Sequence, residues 1–141
     1  KQFKFLMMLK LKVFTFNCFN MKNYIIQKSP FVVPTNDGKS IKEHFGLATD
    51  KNANISIAHM IAPPGWSEPF QKPLFEEYTI ILKGKKQFIV DGDTFVLNAG
   101  ESIKINKNTC VQYSNPFLEP CEYLAICTPA FSVELANREE I

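Results

Sequence analysis

The stretch that decides the fold is Glu77–Ile105, EYTIILKGKKQFIVDGDTFVLNAGESIKI. Short runs rich in β-branched and aromatic residues alternate here with turn signals, at Lys83-Gly84-Lys85 and at Asp91-Gly92-Asp93. Both turns predict tight hairpins, because glycine adopts the positive φ angles that such turns need. A succession of short strands and tight turns is typical of a β-sandwich or a closed β-barrel.

The same pattern continues on both sides of this stretch and predicts eight strands. They are Phe31–Pro34, Ile55–Ala62, Glu77–Lys83, Lys86–Asp91, Thr94–Leu97, Ser102–Ile105, Cys110–Ser114 and Tyr123–Cys127. Helix is expected only in a short turn over Ile41–Phe45, which Ser40 would cap and Gly46 would end, and in a C-terminal tail over Ser132–Glu140. The sequence therefore predicts an all-β fold with little helix.

The length of 141 residues, with 45% hydrophobic and 21% charged residues, fits one globular domain. The first 20 residues differ from the rest: Lys1–Asn20 contains four lysines, five of the 13 phenylalanines and no acidic residue. Lys10 and Lys12 interrupt the apolar run that a secretory signal requires. We expect Lys1–Asn20 to be a leader of upstream sequence read in frame, and the single domain to span residues 21–141 from Met21.

Charge and cysteine usage exclude several classes of protein. Without the leader's four lysines, 12 basic residues face 14 acidic ones, and no basic cluster interleaved with aromatic residues remains, so we expect no nucleic-acid partner. No apolar run approaches the roughly 20 residues that span a membrane. Cysteines 18, 110, 121 and 127 form no C-x-x-C pair, which predicts buried structural thiols in a reducing cytoplasm.

The predicted strand Glu77–Lys83 carries apolar side chains on both faces. Tyr78, Ile80 and Leu82 share one face, while Thr79 and Ile81 share the other. If one face lines the interior of a small barrel, the other needs a second sheet or a second subunit to cover it. We therefore expect a homodimer.

The stretch from Gly65 to Asn115 resembles the two sequence motifs of the cupin family. The first motif reads G-x5-H-x-H-x3/4-E-x6-G, and Gly65, Glu77 and Gly84 stand at its spacing. The second reads G-x5-P-x-G followed by a histidine and x3-N. Its matching residues are Gly92, Gly100 and Asn115, with Asn98 in place of the proline. The resemblance covers about half of the chain and implies a double-stranded β-helix, or jelly-roll barrel.

The histidines of these motifs are missing. In cupins three histidines and one glutamate hold a metal, but the histidine positions here are Gln71 and Pro73 in the first motif and Val111 in the second. With the longer spacing the first two become Phe70 and Lys72. Of the four metal-binding positions only Glu77 keeps the residue of the motif. Its carboxylate and the amide oxygen of Gln71 form a weak donor set for first-row transition metals. We expect no metal and no other cofactor.

Glu77 and His59 are the candidate catalytic residues. Strand alternation directs Glu77 into the barrel beside small or apolar side chains. There its carboxyl group must have a raised pKa, accept hydrogen bonds or contact a ligand. His59 lies on the strand face of Ile57 and Ile61 and is the candidate proton-transfer partner of Glu77. A satisfied structural histidine is the commoner alternative.

Four further residues are candidate ligand-binding groups. Gln71 and Glu68 lie in the proline-rich loop Pro63–Pro73, and loop residues on a rigid scaffold often contact ligands or are simply solvated. Trp66 either covers a pocket mouth or packs against the end of the barrel. Tyr113 shares a face with the Val111 position, so its hydroxyl either reaches a ligand beside Glu77 or fills the core.

The sequence favours a small cupin barrel that binds a small polar molecule, either sugar-like or a hydroxy or keto compound. One interpretation is a metal-independent acid/base isomerase or epimerase. A second is a module that binds or senses a metabolite without turnover. A third keeps a metal on an atypical set of Gln71, Glu77 and His59. The residues alone do not decide whether the protein is an enzyme.

Overall fold

The computed structural model describes residues 23–139, which form ten strands and one short helix. The strands are β1 (Phe31–Val32), β2 (Ser40–Phe45), β3 (Ser56–Ala62), β4 (Trp66–Ser67), β5 (Glu76–Lys83), β6 (Lys85–Val90), β7 (Asp93–Asn98), β8 (Ser102–Ile105), β9 (Val111–Asn115) and β10 (Cys121–Thr128), followed by helix α1 (Val133–Ala136). The predicted leader Lys1–Asn20, the start at Met21 and Cys18 lie outside the described residues.

The strands form two antiparallel sheets that pack face to face. One sheet has the order β1-β2-β3-β10-β5-β8, and the other has the order β4-β9-β6-β7. Ile81 and Tyr123 of the first sheet share one buried core with Phe88, Val111 and Tyr113 of the second. Since the inward side chains of both sheets interdigitate in this way, the architecture is the expected jelly roll. The predicted all-β fold class is confirmed.

The eight predicted strands are all present, with ends shifted by no more than two residues. Strand β4 was missed because its two residues lie within a proline-rich segment. The helical turn predicted over Ile41–Phe45 is wrong, because Ser40–Phe45 is strand β2. It pairs with β3 on one side, with Ile41 opposite Met60, and with β1 on the other. These ladders satisfy its backbone groups, and a five-residue helix here would leave most of them unpaired.

The two predicted turns differ in the structure. Asp91 and Gly92, with φ angles of 48° and 92°, close the predicted hairpin between β6 and β7. Gly84 makes no hairpin, because β5 and β6 belong to different sheets. A Cβ at Gly84 would lie 2.4 Å from the carbonyl oxygen of Pro120. Gly84 is therefore a corner at which the chain passes from one sheet to the other against a neighbouring backbone.

The C-terminal segment covers one end of the barrel. Its helix is shorter than the predicted Ser132–Glu140: Ser132 caps α1 by accepting a hydrogen bond from the Leu135 backbone nitrogen at 3.1 Å, and Asn137 ends the helix in a left-handed conformation. The chain then runs along the loop before β5, where the Leu74 nitrogen donates to the Leu135 oxygen and the Glu139 nitrogen donates to the Phe70 oxygen. This return places the partly exposed Arg138 at the edge of the space between the two sheets.

Cys121 and Cys127 are buried and Cys110 is half-buried, and all three are free thiols. The expectation of unpaired, largely buried cysteines is confirmed for these three residues. Within residues 23–139, no helix has the length and apolar character needed to cross a membrane.

Candidate functional site

A cavity of about 80 Å³ lies between the two sheets. Five of the six residues singled out in the sequence line it, namely Glu77, Gln71, Glu68, Trp66 and Tyr113. Its other lining residues are Val33, Lys39, Ile41, Glu43, Ser56, Ala58, Met60, Phe75, Lys86, Tyr123, Ala125, Cys127, Phe131 and Arg138. This volume holds several water molecules or the polar part of a small ligand.

Glu77 points into this cavity from β5, as strand alternation predicts. Its Oε2 accepts a hydrogen bond from the Tyr113 hydroxyl at 3.2 Å, and its Oε1 accepts one from the Thr79 hydroxyl at 3.3 Å. Burial raises the pKa of the Glu77 carboxyl, and the nearby Lys86 ammonium opposes this effect. A carboxyl with a raised pKa exchanges protons nearer to neutral pH than an exposed one, which suits acid/base chemistry.

Lys86 also lines the cavity and was not predicted from the sequence. It lies on β6 with only 1% of its surface exposed, and its Nζ is 3.4 Å from the ring centre of Tyr123 and 4.6 Å from that of Tyr113. Burial lowers the pKa of Lys86 from 10.5 to about 8, while Glu77 acts in the opposite direction. Strand alternation could have indicated that Lys86 is buried, because it places Lys86 on the same strand face as the apolar Phe88 and Val90.

Glu68 and Gln71 belong to an ion-pair cluster with Lys39 and Arg138. The Lys39 ammonium contacts Glu68 Oε1, and Arg138 Nη2 lies 3.5 Å from the same oxygen. Gln71 Nε2 donates to Glu68 Oε2 at 3.2 Å, and Gln71 Oε1 accepts from Arg138 Nε at 3.4 Å. Neither cation was found from the sequence, because Lys39 and Arg138 are far from Glu68 along the chain.

Trp66 forms part of the cavity wall and is buried. Its Nε1 donates a hydrogen bond of 2.7 Å to Asp37 Oδ2, and the Lys39 ammonium lies 4.4 Å from the ring centre. Trp66 is thus a buried part of the cavity wall, and its role as a ligand-binding group stays a prediction.

The structure does not bring His59 to Glu77, so the predicted pairing is wrong. His59 points away from the cavity, and its Nε2 lies 2.7 Å from Glu122 Oε1 on the outer face of the six-stranded sheet. The inner face of β3 carries Ser56, Ala58 and Met60 instead. Because both faces of β3 contain apolar residues, alternation did not reveal which face is inside. The atypical metal set of Gln71, Glu77 and His59 is consequently not assembled.

The donor set in the cavity does not fit a transition metal. Within residues 23–139, no group of three or more histidine, cysteine, aspartate or glutamate side chains is arranged to hold one. Val111 has no donor, the Gln71 oxygen accepts from Arg138, and the buried Lys86 ammonium near Glu77 would repel a cation. We therefore derive no chemical step through a metal.

Comparisons with known proteins agree with this architecture. The family described as "Cupin domain" matches residues 58–127. Endoribonuclease YbeY of Myxococcus xanthus is 42% identical over 108 residues, which cover 77% of this chain and 37% of that protein. The chain thus spans little more than a third of that relative's length.

Solved structures show the same fold at low sequence identity. An RmlC-like cupin from Shewanella frigidimarina has a TM-score of 0.63 and 14% identity over 78% of this chain and 93% of its own. A variant of oxalate decarboxylase from Bacillus subtilis has a TM-score of 0.64 and 13% identity, over 82% of this chain and 33% of its own. The family match over residues 58–127, in a chain with the jelly-roll topology, shows that the chain belongs to the cupin family.

Proposed function

We propose that the barrel binds a small polar hydroxy or keto compound in its cavity and transfers protons on it as an isomerase or epimerase. The observation that supports this proposal most is the buried Glu77 carboxyl, which faces the cavity and accepts hydrogen bonds from Tyr113 and Thr79. A charged group is seldom buried in this way without a partner or a purpose.

Glu77 would act as the proton carrier. A proton on the carbon next to a carbonyl would move to a Glu77 oxygen, the electron pair of that C–H bond would form a C=C bond, and the carbonyl π pair would move to the oxygen to give an enolate. Return of the proton to the former carbonyl carbon, with the proton of the adjacent hydroxyl passing to the enolate oxygen, gives an isomer. Return to the opposite face of the first carbon, after the enolate turns over in the cavity, gives an epimer. Tyr113 orients the carboxylate through its hydrogen bond. His59 has no part in this scheme, because it lies on the outer face.

Solvent deuterium exchange tests the proposal. The protein is incubated in D₂O with aldoses, ketoses and small hydroxy and keto acids, and incorporation of deuterium next to the carbonyl is followed by NMR. We expect catalysed exchange that Glu77→Gln reduces by at least a hundredfold, in line with the contribution of a general acid or base.

Glu76→Gln is the matched control for this experiment. Glu76 is the neighbour of Glu77 on β5 but pairs with Lys104 at 3.3 Å outside the barrel, so its substitution should leave exchange unchanged. Exchange that survives in Glu77→Gln would remove Glu77 from the mechanism.

The second candidate is a barrel that binds or senses a metabolite without turnover. It is favoured by the relative from Myxococcus xanthus, since most of that endoribonuclease lies outside the matched region. In such a protein the barrel would be one part of a longer chain and would supply ligand binding rather than cleavage. The deuterium experiment separates the two candidates: saturable binding with no exchange supports the sensing module.

The proposal also includes a homodimer in the cytoplasm. Support for the dimer comes from β5, whose outward side chains Tyr78, Ile80 and Leu82 are 38%, 37% and 44% exposed. A row of large apolar side chains on an open sheet face is typical of a protein–protein contact. The free thiols of Cys110, Cys121 and Cys127 favour a reducing compartment.

A further inference from the structure

Lys86 differs from the other two cations that line the cavity. Lys39 and Arg138 both contact Glu68, whereas no hydrogen bond or ion pair of the Lys86 ammonium is found within the described part of the chain. In that same part, every fully buried side-chain nitrogen or oxygen has a hydrogen-bond partner. The Lys86 Nζ has none, so it must be accessible from the cavity although the residue as a whole is 99% buried.

The surroundings of Lys86 stabilise its charge only in part. The rings of Tyr123 and Tyr113 attract the ammonium through their π electrons but offer it no accepting oxygen in hydrogen-bond contact. Glu77 attracts it from a distance, with its two oxygens already accepting from Thr79 and Tyr113. A buried cation without an anionic contact lowers the stability of the fold, which favours a functional reason for its presence.

We propose that the ligand is a small hydroxy or keto carboxylate whose carboxylate group binds the Lys86 ammonium, while its hydroxyl or carbonyl end lies beside Glu77. This inference rests on the proposed function and narrows it from polar compounds in general to acids. The carboxylate supplies the charge-assisted hydrogen bond that Lys86 lacks. It also holds the hydroxyl or keto end of the ligand, with the hydrogen-bearing carbon beside it, in reach of the proton carrier.

A carboxylate fits this position better than a phosphate group. One ammonium balances the single charge of a carboxylate, whereas a phosphate dianion needs more donors. The neighbouring cations Lys39 and Arg138 are engaged by Glu68 and do not supply them. Inorganic phosphate is therefore included as a competing probe in the experiment.

Trp66 provides the readout, because it is the only tryptophan of the chain and lines the cavity. Its fluorescence is titrated with three matched pairs of an acid and a neutral analogue: lactate and lactamide, pyruvate and hydroxyacetone, gluconate and glucose. We expect the acid of at least one pair to bind at least tenfold more tightly than its neutral partner and more tightly than phosphate.

Substitution of Lys86 should abolish this preference. In Lys86→Met the acid and its neutral analogue should bind equally, and Lys86→Gln serves as a second, polar variant if the first does not fold. Lys85→Met is the matched control, since Lys85 is the adjacent residue on β6 and is exposed. An acid preference that persists in both Lys86 variants, or tighter binding of phosphate than of every acid, would overturn the inference.

Failure of this inference is distinguishable from failure of the proposed function. If neutral sugars or ketones bind and exchange protons through Glu77 while the acids do not, the carboxylate inference fails and the proposed function stands. If no compound of either class changes the Trp66 fluorescence at millimolar concentration, both fail.

Discussion

At the scale of single residues, the site combines an acid and a base that are both buried. Desolvation raises the pKa of Glu77 and lowers that of Lys86, so each is driven toward its neutral form. Perturbed pKa values of neighbouring buried groups are more frequent at functional sites than elsewhere in a protein. Their mutual attraction limits both shifts, and a bound anion at Lys86 would favour its charged form further.

The buried charge of Lys86 predicts a pH-dependent stability. The pKa of Lys86 falls from 10.5 in the unfolded chain to about 8 in the fold. Between these pH values the unfolded state therefore binds more protons than the folded state. The free energy of unfolding that this group contributes consequently rises with pH across that window. At pH 7 this pKa shift lowers the free energy of unfolding by about 3 kcal/mol. Lys86→Met should therefore be more stable than the unsubstituted protein at pH 7.

Urea unfolding at pH 7 and pH 10 measures this difference. Most of the advantage of Lys86→Met should disappear at pH 10, since the lysine is then largely neutral in the fold. The buried tyrosines titrate in both proteins and cancel in the comparison. Lys85→Met should show no such pH dependence, and an equal advantage of Lys86→Met at both pH values would argue against a burial cost on Lys86.

At the scale of elements, glycines decide where the chain turns and where it changes sheet. Gly84 and Gly100 have φ angles of 76° and 89°, which disfavour any residue with a Cβ. Only Gly84 also lies against a neighbouring backbone, at the Pro120 carbonyl, while a Cβ at Gly100 would meet nothing within 4 Å.

Alanine substitutions at these two glycines should therefore differ in cost. Gly100→Ala should lower the free energy of unfolding by about 1 to 2 kcal/mol through backbone strain alone. Gly84→Ala should lower the free energy of unfolding by about 1 to 3 kcal/mol more than Gly100→Ala does, because the added methyl group would also clash with the Pro120 carbonyl, which cannot easily move away. Thermal and urea unfolding of both variants measure the difference, and equal costs would show that the corner relaxes without penalty.

At the scale of the whole molecule, the cavity and the exposed sheet face are properties of the two-sheet packing. The inward residues of β5 build the site, and its outward residues Tyr78, Ile80 and Leu82 form an apolar surface. One strand thus contributes to the proposed ligand site on one side and to the proposed subunit contact on the other.

Analytical ultracentrifugation tests the homodimer. We expect a dimer that Ile80→Glu converts to a monomer, because a buried carboxylate at the contact is costly. Val96→Glu is the control, since Val96 is 38% exposed, nearly the same as Ile80 at 37%, but lies on β7 of the other sheet. A monomer for the unsubstituted chain, or equal effects of the two substitutions, would argue against this contact surface.

The sequence by itself determined the fold class, eight of the ten strands and the position of Glu77. These features depend on local signals: alternation along a strand, turn residues at fixed offsets and the glycine framework of the cupin motifs. Gln71, Glu68, Trp66 and Tyr113 were also found in this way, because the motif spacing and the strand phase place them near Glu77.

Only the tertiary structure decided which face of each strand is inside and which distant residues meet. Alternation groups residues by face, but β3 is apolar on both faces, so its pairing with β10 was needed to place His59 outside, beside Glu122. The same packing buries Lys86 near Glu77 and joins Lys39 and Arg138 to Glu68. Such contacts depend on how the two sheets and the C-terminal segment come together, which no local pattern encodes.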